Sequence, residues 1–139
     1  MSRGLSNCNP GNIRQSGVRY KGEVRPSRDP AFKQFESLAW GYRAVFMLLH
    51  TYRVRHGLRT IREMISRWAP PAENHTAIYI RAVAEAVGIP ADRPLDTRDR
   101  TTMLRMAAAV SRVENGVAAD MDEVAKGWEL FAGDTLRTR

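Results

Sequence analysis

The chain has 139 residues, a size that suits one domain with a continuous core and no need of covalent staples. Lysine and arginine number 22 against 15 acidic residues, a net charge of +7, which favours an anionic partner: nucleic acid, an anionic membrane surface or the acidic bacterial envelope. The single cysteine, Cys8, excludes an internal disulfide and the paired spacings of zinc sites; no stretch approaches the roughly 20 apolar residues of a membrane span, and the first residues lack the apolar core of a secretory signal.

The expectation is therefore a product made in the cytoplasm and not inserted in a membrane. The positive charge is spread along the chain without a block of five like charges, so solvated helix faces explain it as well as a binding surface does.

Residues 1–35 are rich in Gly, Pro, Asn, Ser and Arg and read as loops with short strands. Val18 and Tyr20, then Phe32 and Phe35, are apolar anchors on either side of the turn material Arg25–Pro30, which predicts a small hairpin packed on helices. From Ser37 the pattern turns helical. Ser37 is a cap for a helix with Leu38, Tyr42, Val45, Leu49 and Tyr52 inward and Gly57 as its stop. Thr60 with Glu63 forms a capping box for a second helix carrying Ile61, Met64, Ile65 and Trp68, ended by Pro70-Pro71.

A third helix opens at Asn74 or Thr76, turns Ile80, Val83, Ala84 and Val87 inward and closes at Gly88. Residues 89–96, with two prolines, read as an extended linker. A fourth helix starts near Asp99 or Thr101 and runs through Met103, Ala107 and Val110 to Glu114, with Asn115-Gly116 as its end. A fifth is capped at Asp120 and carries Met121, Val124, Ala125, Trp128 and Phe131; residues 133–139 read as a frayed tail. The sum is one α+β domain over 1–139, predominantly α-helical, with about five helices over 37–131 and an N-terminal hairpin.

Several motifs converge on a family. Asn9-Pro10-Gly11-Asn12-Ile13-Arg14, Tyr20-Lys21-Gly22-Glu23, Phe35-Glu36-Ser37, Gly41-Tyr42-Arg43-Ala44, Arg67-Trp68-Ala69-Pro70, Glu73-Asn74, Tyr79-Ile80 and Glu114-Asn115-Gly116 together resemble phage virion or structural proteins. The order Asn12-Ile13-Arg14, Tyr20-Lys21-Gly22, Phe35-Glu36-Ser37 and a helix with Tyr52 is also similar to the later half of flagellar-type β-N-acetylglucosaminidases, whose fold is lysozyme-like. In those enzymes the catalytic Glu precedes this block at a helix end; here the comparable helix end, Val113-Glu114-Asn115-Gly116, follows it, as in a circular permutation. The resemblance implies a lysozyme-like domain cleaving β-1,4 bonds of peptidoglycan, hydrolytically or as a lytic transglycosylase, with action at the cell wall and association with the virion.

The residues themselves support Glu114 as the acid. It lies on the stripe of Met103, Ala107 and Val110, facing the core or a cleft edge, and partial desolvation together with the negative end of the helix dipole favours its protonated form, as a glycosidic proton donor requires. An ordinary last-turn glutamate bending to water is the plain alternative. Candidates for a second carboxylate are Glu36, Glu73 and Glu23, with helix capping as the competing role of Glu36 and Glu73.

Tyr20, Trp68, Tyr79, Asn9, Asn12 and Asn74 are the aromatic and amide groups a sugar cleft uses, although Trp68 equally suits the core, Asn12 a turn and Asn74 a cap. His50, His56 and His75 lack metal-ligand spacing, so no metal or other cofactor is expected. The expected partners are the glycan strand and other virion proteins. A non-enzymatic virion component is one rival; a nucleic-acid module using Arg53, Arg55, Arg59, Arg62 and Arg67 is another, without a helix-turn-helix, RNA-binding or zinc-knuckle signature and so not the expected substrate.

Overall fold

The computed structural model describes residues 1–69 and 75–136. Among them are six α-helices and one two-stranded antiparallel hairpin: α1 (Arg3–Ser6), β1 (Glu23–Val24), β2 (Gln34–Phe35), α2 (Leu38–His56), α3 (Ile61–Trp68), α4 (Thr76–Val87), α5 (Arg100–Asn115) and α6 (Met121–Phe131). The fold is thus predominantly α-helical with a small β element, as the periodicity predicts.

The helix ends follow from their caps. Ser37 accepts from the Trp40 N–H and Gly57 closes α2 at φ +65°; at α3 both halves of the Thr60–Glu63 capping box are made. Asp99 caps α5 and Asp120 caps α6, while Gly88 and Gly116 end α4 and α5 in the left-handed conformation. α4 is entered through His75 at φ +59° with no side-chain cap.

α2 is the hub. It packs most extensively on α6, and α5 packs on α4, enclosing a core in which Val45, Phe46, Leu49, Ile61, Met64, Met103, Val110 and Phe131 are buried. Phe46 meets the Trp128 ring edge-on at 5.2 Å and Phe131 at 5.8 Å, the geometry aromatic quadrupoles prefer. Tyr42, fully buried, spends its hydroxyl on Ser111 at 2.8 Å. Gly41 lets the Cys8 carbonyl and Pro10 lie directly against α2, where any Cβ would collide with them.

The N-terminal region packs on this bundle through a second cluster of Ile13, Phe35 and Ala44. The hairpin pairs Glu23 with Phe35 and Val24 with Gln34, and a lone bridge joins Arg14 to Phe32. Its strands are shorter and begin later than the apolar pattern predicts: Val18 is exposed, because the ladder is anchored instead by Lys33, whose buried ammonium bonds the Val18 carbonyl and Glu23.

Other differences are local. α1 forms in a stretch that reads as loop, capped by Ser2. Met121, expected inward, is exposed at the first turn of α6, where the helix has not yet reached the core. Within the expected tail, Ala132–Leu136 form a π-helical turn in which Asp134 bonds Arg43 and Lys21; residues 137–139 lie outside the described residues. The expected start of a helix at Asn74 lies outside the described residues.

Candidate functional site

α5 delivers Glu114 to the surface one residue before the helix ends, on the side facing the N-terminal loop. Asn12, held at φ +48° in the Asn9–Asn12 turn, donates its amide to Glu114 Oε1 at 2.9 Å, and the Tyr79 hydroxyl of α4 donates to Oε2, also at 2.9 Å. Both carboxylate oxygens are therefore engaged by side chains from two other segments, and Glu114 is left half-buried. Burial, followed by the charge of Glu114 and the hydrogen bond to it, pushes the Tyr79 phenol far up, so Tyr79 stays a hydroxyl at any physiological pH. A hydroxyl donates to a carboxylate and accepts from a carboxylic acid, so this neighbour serves Glu114 in either protonation state.

Asn115 locks the turn against the helix end. Its amide donates to the Pro10 carbonyl at 2.9 Å and to the Ser111 carbonyl at 2.8 Å, and its Oδ1 accepts from Ser2 Oγ at 2.7 Å. The Asn-Pro-Gly-Asn turn is thereby fixed in register with Glu114.

Glu114 opens onto a groove of about 320 Å³, within the range of small-ligand clefts. The groove is lined by Gly11, Asn12, Arg14, Phe32, Tyr52, Arg67 and Trp68. Trp68 rests on Gly11, where a Cβ would stand 2.7 Å from the indole, and its ring meets Tyr52 edge-on at 6.3 Å. The groove runs into a second one of about 560 Å³ through the shared residues Leu48, Tyr52 and Arg67; Tyr20, Arg19 and Arg55 line this continuation. Among the described residues lining the two grooves, Glu114 is the one carboxylate.

Of the residues singled out in the sequence, Glu114, Asn12, Trp68 and Tyr79 come together here, and Tyr20 lies along the continuation. Asn12 and Tyr79, expected to bind sugar, bond Glu114 itself; only 8 % of Tyr79 is exposed. Asn9 does not face the groove: it is fully buried, its amide donating to the Ile13 and Lys33 carbonyls and accepting from the Ile13 N–H, so it shapes the turn that carries Asn12. Glu36 is exposed, outside both grooves, with its backbone N–H on the Gly22 carbonyl.

Glu23 is buried between Arg25 and Lys33; burial pushes its carboxyl up, but the bonds from Arg25, the Tyr20 N–H and Lys33 outweigh this and hold it below the usual range. The three form an ion cluster whose carboxylate lines neither groove. Asn74 and Glu73 lie outside the described residues. No group of three metal-ligating side chains occurs among the described residues. Sequence reasoning passed over Tyr52 and Arg67 as groove walls because both sit on helix stripes that read as core and solvated face.

Among the described residues, no helix is long and apolar enough to cross a membrane. No protein-family model matches the chain. It is 37 % identical over 131 residues to Protein P5 of Pseudoalteromonas phage PM2, an alignment that spans 92 % of this chain and 81 % of that protein. A likeness of that strength across most of both sequences means that the chain belongs to the family of Protein P5 of phage PM2.

Proposed function

We propose that the protein is a virion-associated, lysozyme-like enzyme that cleaves β-1,4 glycosidic bonds in the glycan strands of peptidoglycan, with Glu114 as its acid–base group. The observation that carries this reading is the Glu114 carboxyl, gripped at both oxygens by Asn12 and Tyr79 yet lining an open, aromatic-walled cleft. A glutamate needed only to end a helix has no use for such holders, whereas a proton donor must be aimed.

In the proposed step Glu114 gives its proton to the bridging oxygen as the bond from that oxygen to the sugar C1 breaks. Water or a hydroxyl of the substrate then bonds to C1 in place of the leaving oxygen and gives its proton to the Glu114 carboxylate, which restores the acid. The half-buried Trp68 offers ring surface to the apolar faces of the sugars, backed edge-on by Tyr52. Kinship with a phage protein fits delivery of a wall-cleaving domain by a phage particle.

A second reading, a non-enzymatic particle component, is favoured by the same relative. Zymography on purified sacculi with wild type and Glu114→Gln, with mass spectrometry of released fragments, separates the two. Clearing by wild type alone is the expected result. Equal clearing by both removes Glu114 from the mechanism, and no clearing by either leaves the particle component.

A further inference from the structure

The cleft does not end at Glu114. Beyond the shared residues Leu48, Tyr52 and Arg67, the continuation presents the guanidinium groups of Arg19 and Arg55, both exposed. Neither bonds a carboxylate among the described residues, and the nearby Asp134 is already engaged by Lys21 at 3.0 Å and Arg43 at 3.2 Å. Arg67 stands at the junction, 5.5 Å above the Tyr52 ring. This half of the cleft thus presents positive charge with no carboxylate among its described lining residues, while the other half sets the Glu114 carboxyl beside Arg14 and Arg67.

Resting on the glycan-cleaving reading above, we infer that this basic end binds the free carboxylates of the peptide branches borne by the glycan strand, so that the protein favours strands whose peptides are present and ionised. A linear sugar polymer passing Glu114 carries such branches beside it, and planar guanidinium forks match carboxylates. A polyphosphate is the poorer match, because the cations line a short concavity instead of a continuous stripe.

The test is co-sedimentation of the full chain carrying Glu114→Gln with sacculi free of teichoic acid, native or with their carboxyl groups converted to amides by carbodiimide and ammonia. Native sacculi are expected to bind about tenfold more tightly, the combined effect of two or three exposed ion pairs. Arg19→Ala with Arg55→Ala is expected to lose that preference while binding amidated sacculi unchanged; circular dichroism checks that the doubly substituted protein is folded. Equal binding to the two substrates overturns the inference, as does displacement of the protein from native sacculi by duplex DNA at physiological salt. If wild type clears both substrates equally, the cleavage reading stands and this one falls; if charge-dependent binding is seen without clearing, the binding site stands and the cleavage reading falls.

Discussion

Replacing Tyr79 by Phe removes one oxygen and one hydrogen bond from the candidate site and leaves the packing of α4 intact. The lost bond, 2.9 Å from a hydroxyl to a carboxyl oxygen, is charge-assisted when Glu114 is ionised. Hydrogen bonds to charged groups contribute about 1.5–3 kcal/mol, and the half-exposed carboxyl recruits water in compensation, so the lower end, about 1.5 kcal/mol, applies. For 139 residues the unfolding entropy is about 0.3 kcal/mol/K, which converts that loss to a fall in Tm of about 5 °C.

Calorimetry at pH 7 reads this directly. The comparison is Tyr42→Phe, which loses a neutral bond to Ser111 of 2.8 Å and is expected to cost about 1 kcal/mol. The decisive measurement is the double-mutant cycle: in a Glu114→Gln background the Tyr79→Phe cost is expected to fall to about half. An equal cost in both backgrounds would refute the view that Tyr79 holds the Glu114 carboxylate. The same substitution is expected to lower kcat on sacculi by about tenfold or more, with KM little changed, because it frees the acid without altering the cleft walls.

Three further outcomes follow from other parts of the molecule. Lys33→Ala strips a fully buried ammonium from the Glu23 carboxylate and is expected to cost about 3 kcal/mol in chemical denaturation, the exposed edge of Arg25 sparing the full loss. Asp29 is held well below the usual carboxylate range, chiefly by the Arg3 guanidinium and also by Asn7 and the N–H groups of Ala31 and Phe32. A lowered folded-state value means its contribution is present at neutral pH and drains away only below about pH 4, where the unfolded chain takes up the proton first. Asp29→Asn is therefore expected to show a smaller drop in Tm between pH 5 and pH 2 than wild type. Gly11→Ala forces the Trp68 indole off its seat, 2.7 Å from the new methyl, with an expected cost of about 1–3 kcal/mol and a shift in tryptophan emission.

The five longer helices are legible in the chain because each carries punctuation at one end or both: a hydroxyl or carboxylate cap at Ser37, Thr60, Asp99 or Asp120 opens α2, α3, α5 and α6, and a glycine stop at Gly57, Gly88 or Gly116 closes α2, α4 and α5. α1 escapes such reading, since four residues leave no periodicity, and the strand positions escape because two-residue strands are set by Lys33 and Glu23 bonding across the hairpin. Val18 and Met121 mark the same limit: apolar residues at element edges are left in solvent when no partner element reaches them.

At the site, the stripe of α5 points to Glu114 and the Asn-Pro-Gly-Asn turn points to a special backbone, realised at Asn12. What no spacing reveals is that Asn12 and Tyr79 both bond the glutamate. That pairing arises from the packing of α4 on α5 and from the clasp of Asn115 on Pro10, both tertiary events. Asn9 illustrates the converse, an amide whose residue type suits a sugar but whose burial commits it to backbone carbonyls.

Glu114 and Asn12 are separated by 102 positions in the chain, yet they share one hydrogen bond. No short contiguous peptide reproduces this constellation, and cutting the chain in the Gly57–Arg59 connection between α2 and α3 parts the amide from the acid it orients. Two such fragments regain the Asn12–Glu114 contact only by reassembling, which makes reconstitution a direct gauge of how tightly the two segments hold one another.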